Sequence, residues 1–275
     1  MDLDEKYQYL QNILAKFDSA VVAFSGGVDS TLLLKIACDT LGVNKVLALT
    51  ATSPIFPSYE IELSQQIANQ FGVRQQFIDS GQMELADFVE NNLQRCYHCK
   101  HNMLRLFLQA LPETSGVLLD GSNLDDLEDF RPGQKAVTQL KILSPLLEAK
   151  LGKKEIRALS RRLHLSTWNK QPFACLATRF PYGTRITTKR LQQVDKCETW
   201  LRLHGFSHYR VRCHDQLARI EVSRDEIPRL LEKSLHADLL ETFKTNGFDY
   251  VTLDLQGYRS GSMNEVLSES NMLWS

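Results

Sequence analysis

Along the first half of the chain, short apolar runs alternate with longer stretches whose apolar positions recur three or four residues apart. The runs are VVAF (Val21 to Phe24), KVLALT (Lys45 to Thr50), RQQFID (Arg74 to Asp79) and GVLLDG (Gly116 to Gly121). Runs of this length read as buried strands of a parallel sheet, and the stretches between them read as helices, for example through Ile61, Gln65, Ala68 and Phe71. The pattern predicts an α/β fold built on a doubly wound parallel sheet. A further helix, KKEIRALSRRLHL, starts after Gly152. From Trp168 to Gly183 there is no clear period, and Pro172 and Pro181 mark the stretch as a long ordered loop.

Beyond Gly183 the pattern changes. A helix is predicted from Thr187 to His204, then HYRVRCHD and LARIEV as a hairpin, helices around Glu226 to Asn246, and the strand YVTLDL. This is the signature of a smaller α+β domain, ending in the Gly- and Ser-rich loop GYRSGSMN with an arginine at its centre. At 275 residues the chain is larger than most single cores become, so two domains are expected, residues 1–184 and 185–275.

Composition narrows the classes. Hydrophobic residues at 43% and charged residues at 24% fit an ordinary globular protein and argue against a low-complexity chain. The N-terminus MDLDEKYQYL is acidic where a secretory signal is basic and then apolar, and no apolar stretch approaches the roughly 20 residues of a membrane span. The expectation is a cytoplasmic protein without a membrane partner. A net charge of −1 provides no broad basic field, so nucleic acid is not an expected partner either. Six cysteines are too sparse for a disulfide framework and turn attention to metal or redox chemistry.

Ser25-Gly26-Gly27-Val28-Asp29-Ser30 follows a predicted strand and leads into the apolar helix TLLLKIAC. Two glycines let the backbone approach a polyphosphate closely, and the Ser25 and Ser30 hydroxyls join helix N-terminal amides as donors. The result is an anion cradle; a strand-to-helix corner with purely steric glycines is the plainer alternative. Unlike GxxxxGK[ST], the loop has no lysine for β- and γ-phosphates, which points away from simple γ-phosphoryl transfer. SGGVDS resembles the signature loop of the PP-loop ATP pyrophosphatases, which cleave ATP between the α- and β-phosphates and leave AMP on a carbonyl or carboxyl oxygen. The resemblance implies that the loop holds pyrophosphate, that Asp29 lies near metal and phosphates, and that Mg²⁺ bridges the leaving group. Asp120 and Asn123, in LLDGSNLDD, lie at a predicted strand end where open α/β sheets take ligands, although turn-forming residues there need none.

Cys96 and Cys99 form C-x-x-C in QRCYHCKHN, and Cys175 lies in NKQPFACLATRFPYGTRIT. Alone, such a pair reads as a zinc half-site, a redox dithiol, an Fe-S ligand pair or coincidence. No second C-x-x-C completes a common zinc site, though His98 or His101 could add a ligand. Three cysteines at an open sheet end would suit a cubane cluster with one iron unligated by protein, and zinc stays open.

Four further blocks sharpen the picture: FRPGQKA (Phe130 to Ala136), NKQPFACLATRFPYG (Asn169 to Gly183), YRVRCHD (Tyr209 to Asp215) and YVTLDLQGYRSGSMN (Tyr250 to Asn264). Together they resemble the LarE family of ATP-dependent sulfur transferases over nearly the whole chain. That family adenylylates the carboxylates of pyridinium-3,5-biscarboxylic acid mononucleotide and converts them to thiocarboxylates for the nickel-pincer nucleotide cofactor. Some members sacrifice the sulfur of a single cysteine, the match of Cys175. Others hold a [4Fe-4S] cluster on three, and Cys96, Cys99 and Cys175 match that pattern, so the cluster-bearing form is expected and the single-use form is the alternative. The resemblance also implies that Lys100 and Arg179 contact the nucleotide or its phosphates, that Arg210, Arg212 and Arg259 bind the substrate phosphate, and that the chain forms a homo-oligomer supplied by sulfide or another sulfur donor. Strand spacing supports part of this, because residues i and i+2 share a face and guanidinium groups grip phosphate bidentately; solvated surface arginines are the plainer reading. Cys38, Cys197 and Cys213 read as structural. The competing functions are a PP-loop amidotransferase or tRNA thiolase, and a zinc-stabilised nucleotide-binding module.

Overall fold

In the computed structural model the described residues are 1–111, 116–127, 132–172, 174–259 and 261–262. The first residues of FRPGQKA, Phe130 and Arg131, lie outside them, as do Ser260, Met263 and Asn264 of the last block and the remainder of the expected second domain. The chain packs as two units, Met1–Gln82 with Cys96–Phe173, and Met83–Arg95 with Ala174–Ser275.

The first unit begins with α1 (Leu3–Leu14), β1 (Ala20–Ala23), α2 (Val28–Leu41), β2 (Val46–Thr52), α3 (Ser58–Phe71) and β3 (Arg74–Asp79). After α4 (Ala86–Val89) of the second unit come α5 (Arg95–Gln109), β4 (Val117–Leu119), α6 (Pro132–Gln139), α7 (Pro145–Glu148) and α8 (Lys153–Arg162). The four strands form one parallel sheet in the order β3-β2-β1-β4. Alternate residues of a strand face opposite sides, and each side here has its own core. Ala20, Val22, Val46 and Ala48 share one with Leu32, Leu33 and Ile36 of α2 and Ile156 and Leu159 of α8. Val21, Leu47 and Leu49 share the other with Leu104 and Phe107 of α5 and Val137 of α6. Helices on both faces make the sheet doubly wound, as the alternation of runs and periodic stretches predicts.

One strand differs from its sequence reading. RQQFID forms β3 but is not buried: it is one of the sheet's two edge strands, and Phe77 itself is exposed. Its polar residues suit a strand with a neighbour on one side only.

The second unit contains α9 (Thr188–Leu203), β5 (Tyr209–His214), β6 (Leu217–Val222), α10 (Lys233–Thr245) and β7 (Tyr250–Leu253). β5 and β6 form the predicted hairpin, turning at Asp215 with a φ of 53°, and β7 adds parallel to β6. Among its described residues, the stretch from Trp168 to Gly183 is irregular apart from one 3₁₀ turn, Leu176–Arg179. Among the described residues no helix is long and apolar enough to cross a membrane.

Candidate functional site

The chain leaves β1 under tight backbone control. The Phe24 amide donates to the Leu49 carbonyl at 2.7 Å, and the Phe24 carbonyl accepts the Thr50 hydroxyl at 2.8 Å. Gly26 then takes a φ of +68°, in the left-handed region that glycine enters without steric cost. A Cβ there would come within 3.2 Å of the Cα and Cβ of Ser64 on α3, so both conformation and space call for glycine. Gly27 caps α2 with no side-chain bond, which leaves the positive end of the helix dipole facing the loop. Around it, Ser25 Oγ and Ser30 Oγ lie 3.2 Å apart.

The loop forms one wall of a cavity of about 410 Å³ within the first unit. Its polar part includes Ser25, Gly27, Asp29, Ser30, Lys100 and Asp120, and its apolar part includes Phe56, Ile61, Met103 and Phe107. Gly121 also lines it; a Cβ there would meet the Ser30 amide nitrogen at 3.2 Å, so the β4 exit and the loop approach closely. Asn123 is fully buried, with its Oδ1 accepting the Asp125 amide at 3.0 Å.

Three lysines bring charge to this cavity and its loop. Lys100 Nζ is 3.1 Å from Asp120 Oδ2, and Lys153 Nζ, from the start of α8, is 2.5 Å from Asp29 Oδ2. Lys170 Nζ donates to the Gly26 carbonyl at 2.9 Å and pairs with the buried Glu60 at 2.5 Å, fixing the loop from behind its backbone. Sequence reasoning found Lys100 but missed Lys153, Lys170 and Glu60. Lys170 lies inside a family block, yet no local spacing links it to a carbonyl 144 residues earlier.

In the second unit the predicted arginines meet buried carboxylates. Arg179 forms two bonds to Glu198, at 2.9 and 2.8 Å, and also donates to the Ala174 and Cys175 carbonyls. Arg212 forms two bonds to Glu221, at 3.0 and 2.8 Å, and reaches the Thr178 carbonyl and Ser262 hydroxyl. Burial alone would raise the Glu198 pKa, but Arg179, followed by Arg210 and the Val211 amide, holds it below the usual glutamate value. Arg210 stacks over Tyr258 at 5.2 Å, and burial together with Arg179 lowers its pKa. Arg259 lies 3.6 Å from Asp254 and donates to the Gly257 carbonyl. Glu198 and Glu221 are the residues missed here, although the hairpin register sets Glu221 opposite Arg210 and diagonal to Arg212.

Cys96 and Cys99 sit one helical turn apart at the start of α5, with Cys96 exposed and Cys99 half-buried. Gln82 Nε2 approaches Cys99 Sγ at 3.6 Å. Cys175, also half-buried, immediately precedes the 3₁₀ turn of the second unit. None of the three is in a disulfide among the described residues. Among the described residues no group of three or more His, Cys, Asp or Glu side chains is gathered so as to hold a metal ion. Cys38, Cys197 and Cys213 are buried; burial pushes the thiols of Cys38 and Cys213 up to about 11 and raises that of Cys197 too, keeping all three protonated.

A parallel sheet with SGGVDS between its first strand and the following helix places the chain in the PP-loop class of ATP-dependent enzymes. Consistent with this, residues 4–106 match the NAD synthase family. Over 261 residues, and 94% of each chain, the protein is 36% identical to the pyridinium-3,5-bisthiocarboxylic acid mononucleotide synthase of Lactiplantibacillus plantarum. An uncharacterized protein of Synechocystis sp. is 40% identical over 97% of this chain and 100% of its own, and one of Methanocaldococcus jannaschii is 28% identical over 90% and 95%. The chain belongs to the LarE family.

Proposed function

We propose that the protein adenylylates the carboxylates of pyridinium-3,5-biscarboxylic acid mononucleotide and converts them to thiocarboxylates for nickel-pincer cofactor synthesis. The observation that carries this reading is the cavity at the SGGVDS loop, where a helix N-terminus and paired lysines adjoin an apolar recess, in a chain of the LarE family. The recess suits an adenine ring, while Ser25, Gly26, Gly27, Ser30 and Lys100 suit the phosphates. Asp29, a carboxylate on the cavity wall, has the hard oxygen donors that Mg²⁺ requires; bound there, the metal would neutralise charge on departing pyrophosphate.

In the first step a substrate carboxylate oxygen attacks the α-phosphorus, and the bond to the β-phosphate oxygen breaks, giving an acyl adenylate and pyrophosphate. A sulfur nucleophile then adds to the acyl carbon, and AMP leaves with the bond's electron pair. In the second unit Arg210 is assigned the substrate phosphate together with Arg212 and Arg259. Arg179 and Arg212 are themselves held by Glu198 and Glu221, and Arg210 stacks on Tyr258. In this scheme residues 1–184 carry the ATP chemistry and 185–275 the recognition of the nucleotide substrate.

Cys96, Cys99 and Cys175 would hold a [4Fe-4S] cluster, which when bound supplies labile sulfide to the activated carbon. Their chemistry fits: three soft thiols outside any disulfide among the described residues, each at least partly accessible, two of them spaced by one helical turn. Single alanine variants reconstituted anaerobically test this. Each of the three should abolish sulfur transfer while substrate-dependent pyrophosphate release survives. Loss of transfer in Cys175→Ala alone, with the wild-type chain lighter by roughly 34 Da after one turnover, would instead establish Cys175 as a single-use donor.

A further inference from the structure

Helix α8 begins with a cation at its positive end, an arrangement that the helix dipole disfavours. The helix start does not need that side chain. The Gly152 amide is taken by Glu155 Oε2 at 2.9 Å, and the Lys153 amide by Asp125. The Lys153 ammonium instead spans 124 positions of sequence to the aspartate of the phosphate loop, where it meets Asp29 Oδ2 at 2.5 Å. Ile156 and Leu159, fully buried in the core shared with α2, fix α8 so that this reach is built into the fold. The pair is still partly open, with side-chain exposures of 33% for Lys153 and 24% for Asp29, so its partners can be exchanged.

We propose that Lys153 is the pyrophosphate-binding lysine that the SGGVDS loop itself lacks, held beside the loop by Asp29 until nucleotide arrives. The proposal rests on reading that loop as a pyrophosphate cradle. The Asp29 carboxylate would hold Mg²⁺ when ATP is bound, and the Lys153 ammonium would then share its anion with a second cation. The ammonium is on a flexible four-carbon stem, and phosphate oxygens held by the loop would offer it another acceptor. Lys153 thus moves its charge from the loop to the leaving group, and no bond is made or broken. Lys170 differs: it is tied to a backbone carbonyl and to buried Glu60, and it supports the loop's shape.

The test is calorimetric titration of the full chain with pyrophosphate in Mg²⁺, and separately with AMP, for wild type, Lys153→Gln and Lys153→Arg. Lys153→Gln should bind pyrophosphate about tenfold to a hundredfold more weakly, the effect of losing one charge-assisted bond. Its AMP affinity should stay within about twofold and Lys153→Arg should recover most of the pyrophosphate affinity, because only the leaving group meets the cation. Unchanged pyrophosphate affinity in Lys153→Gln, or equal weakening of both ligands, would overturn the proposal and leave Lys153 a strut between α8 and α2. If wild type binds no pyrophosphate and forms no AMP from ATP, the reading of the loop fails and the lysine's role with it. A competent wild type with an indifferent Lys153→Gln sinks the lysine alone.

Discussion

Around the PP-loop, Lys100 and Lys153 have side chains 27 and 33% exposed, each paired with one acid; in the second unit Arg179 and Arg212 are 3 to 5% exposed and doubly bonded to buried glutamates. Partly solvated pairs are weak and exchangeable, so a phosphate or metal can replace one partner at small cost. A buried, bidentate pair is different, because removing either partner strands a charge in a medium that cannot solvate it. The first region therefore offers its charges to ligands. The second uses most of its charges on itself: Arg179 and Arg212 are each closed on a glutamate, while Arg210 stacks on Tyr258.

Breaking the buried network should have the largest effect. Glu198→Ala leaves Arg179 uncompensated and should cost about 3–5 kcal/mol of stability in urea unfolding, as should Glu221→Ala for Arg212. Because Glu198 is held below its ordinary pKa, its contribution is present above the unfolded glutamate value and is lost as pH falls through the folded one. Glu198→Gln should therefore flatten the acid limb of the stability profile, and an unchanged limb would remove Glu198 from the account. Next in size is Arg210→Ala, which should weaken binding of the nucleotide substrate by about 1.5–3 kcal/mol, measured by titration, with ATP affinity nearly unchanged. Equal loss for both ligands would place Arg210 at the ATP site. Smaller still, Gly26→Ala forces an L residue into the left-handed region and should cost about 1–2 kcal/mol in stability. Its ATP affinity should fall as well, since the Cβ presses on Ser64 and displaces the cradle. Wild-type ATP binding would show that the loop's shape is not what holds nucleotide.

What the sequence made legible was local. β1 and β2 announce themselves as apolar runs, and SGGVDS is recognisable because its glycines, hydroxyls and aspartate are contiguous. β3 was readable as a strand but not as an exposed edge, since a run of six residues says nothing about how many neighbours it has. Ion-pair partners were the main loss. Lys153 and Asp29 are 124 positions apart, and only the packing of α8 beside α2 brings them together. Glu221 was within reach of inference: once the hairpin is drawn with a two-residue turn, it falls beside Arg210 and Arg212 on one strand face. Glu198 was not, because it approaches Arg179 and the Val211 amide from α9 by tertiary packing.

Carboxylate adenylylation requires that ATP break between its α- and β-phosphates. Phosphorus NMR of the protein with ATP, Mg²⁺ and pyridinium-3,5-biscarboxylic acid mononucleotide should show AMP and pyrophosphate appearing in equal amounts, only when the carboxylated substrate is present. Asp29→Asn should retain the fold and lose most of that signal. Formation of ADP and phosphate as the main products, or AMP formation indifferent to the substrate, would contradict carboxylate adenylylation at the SGGVDS loop.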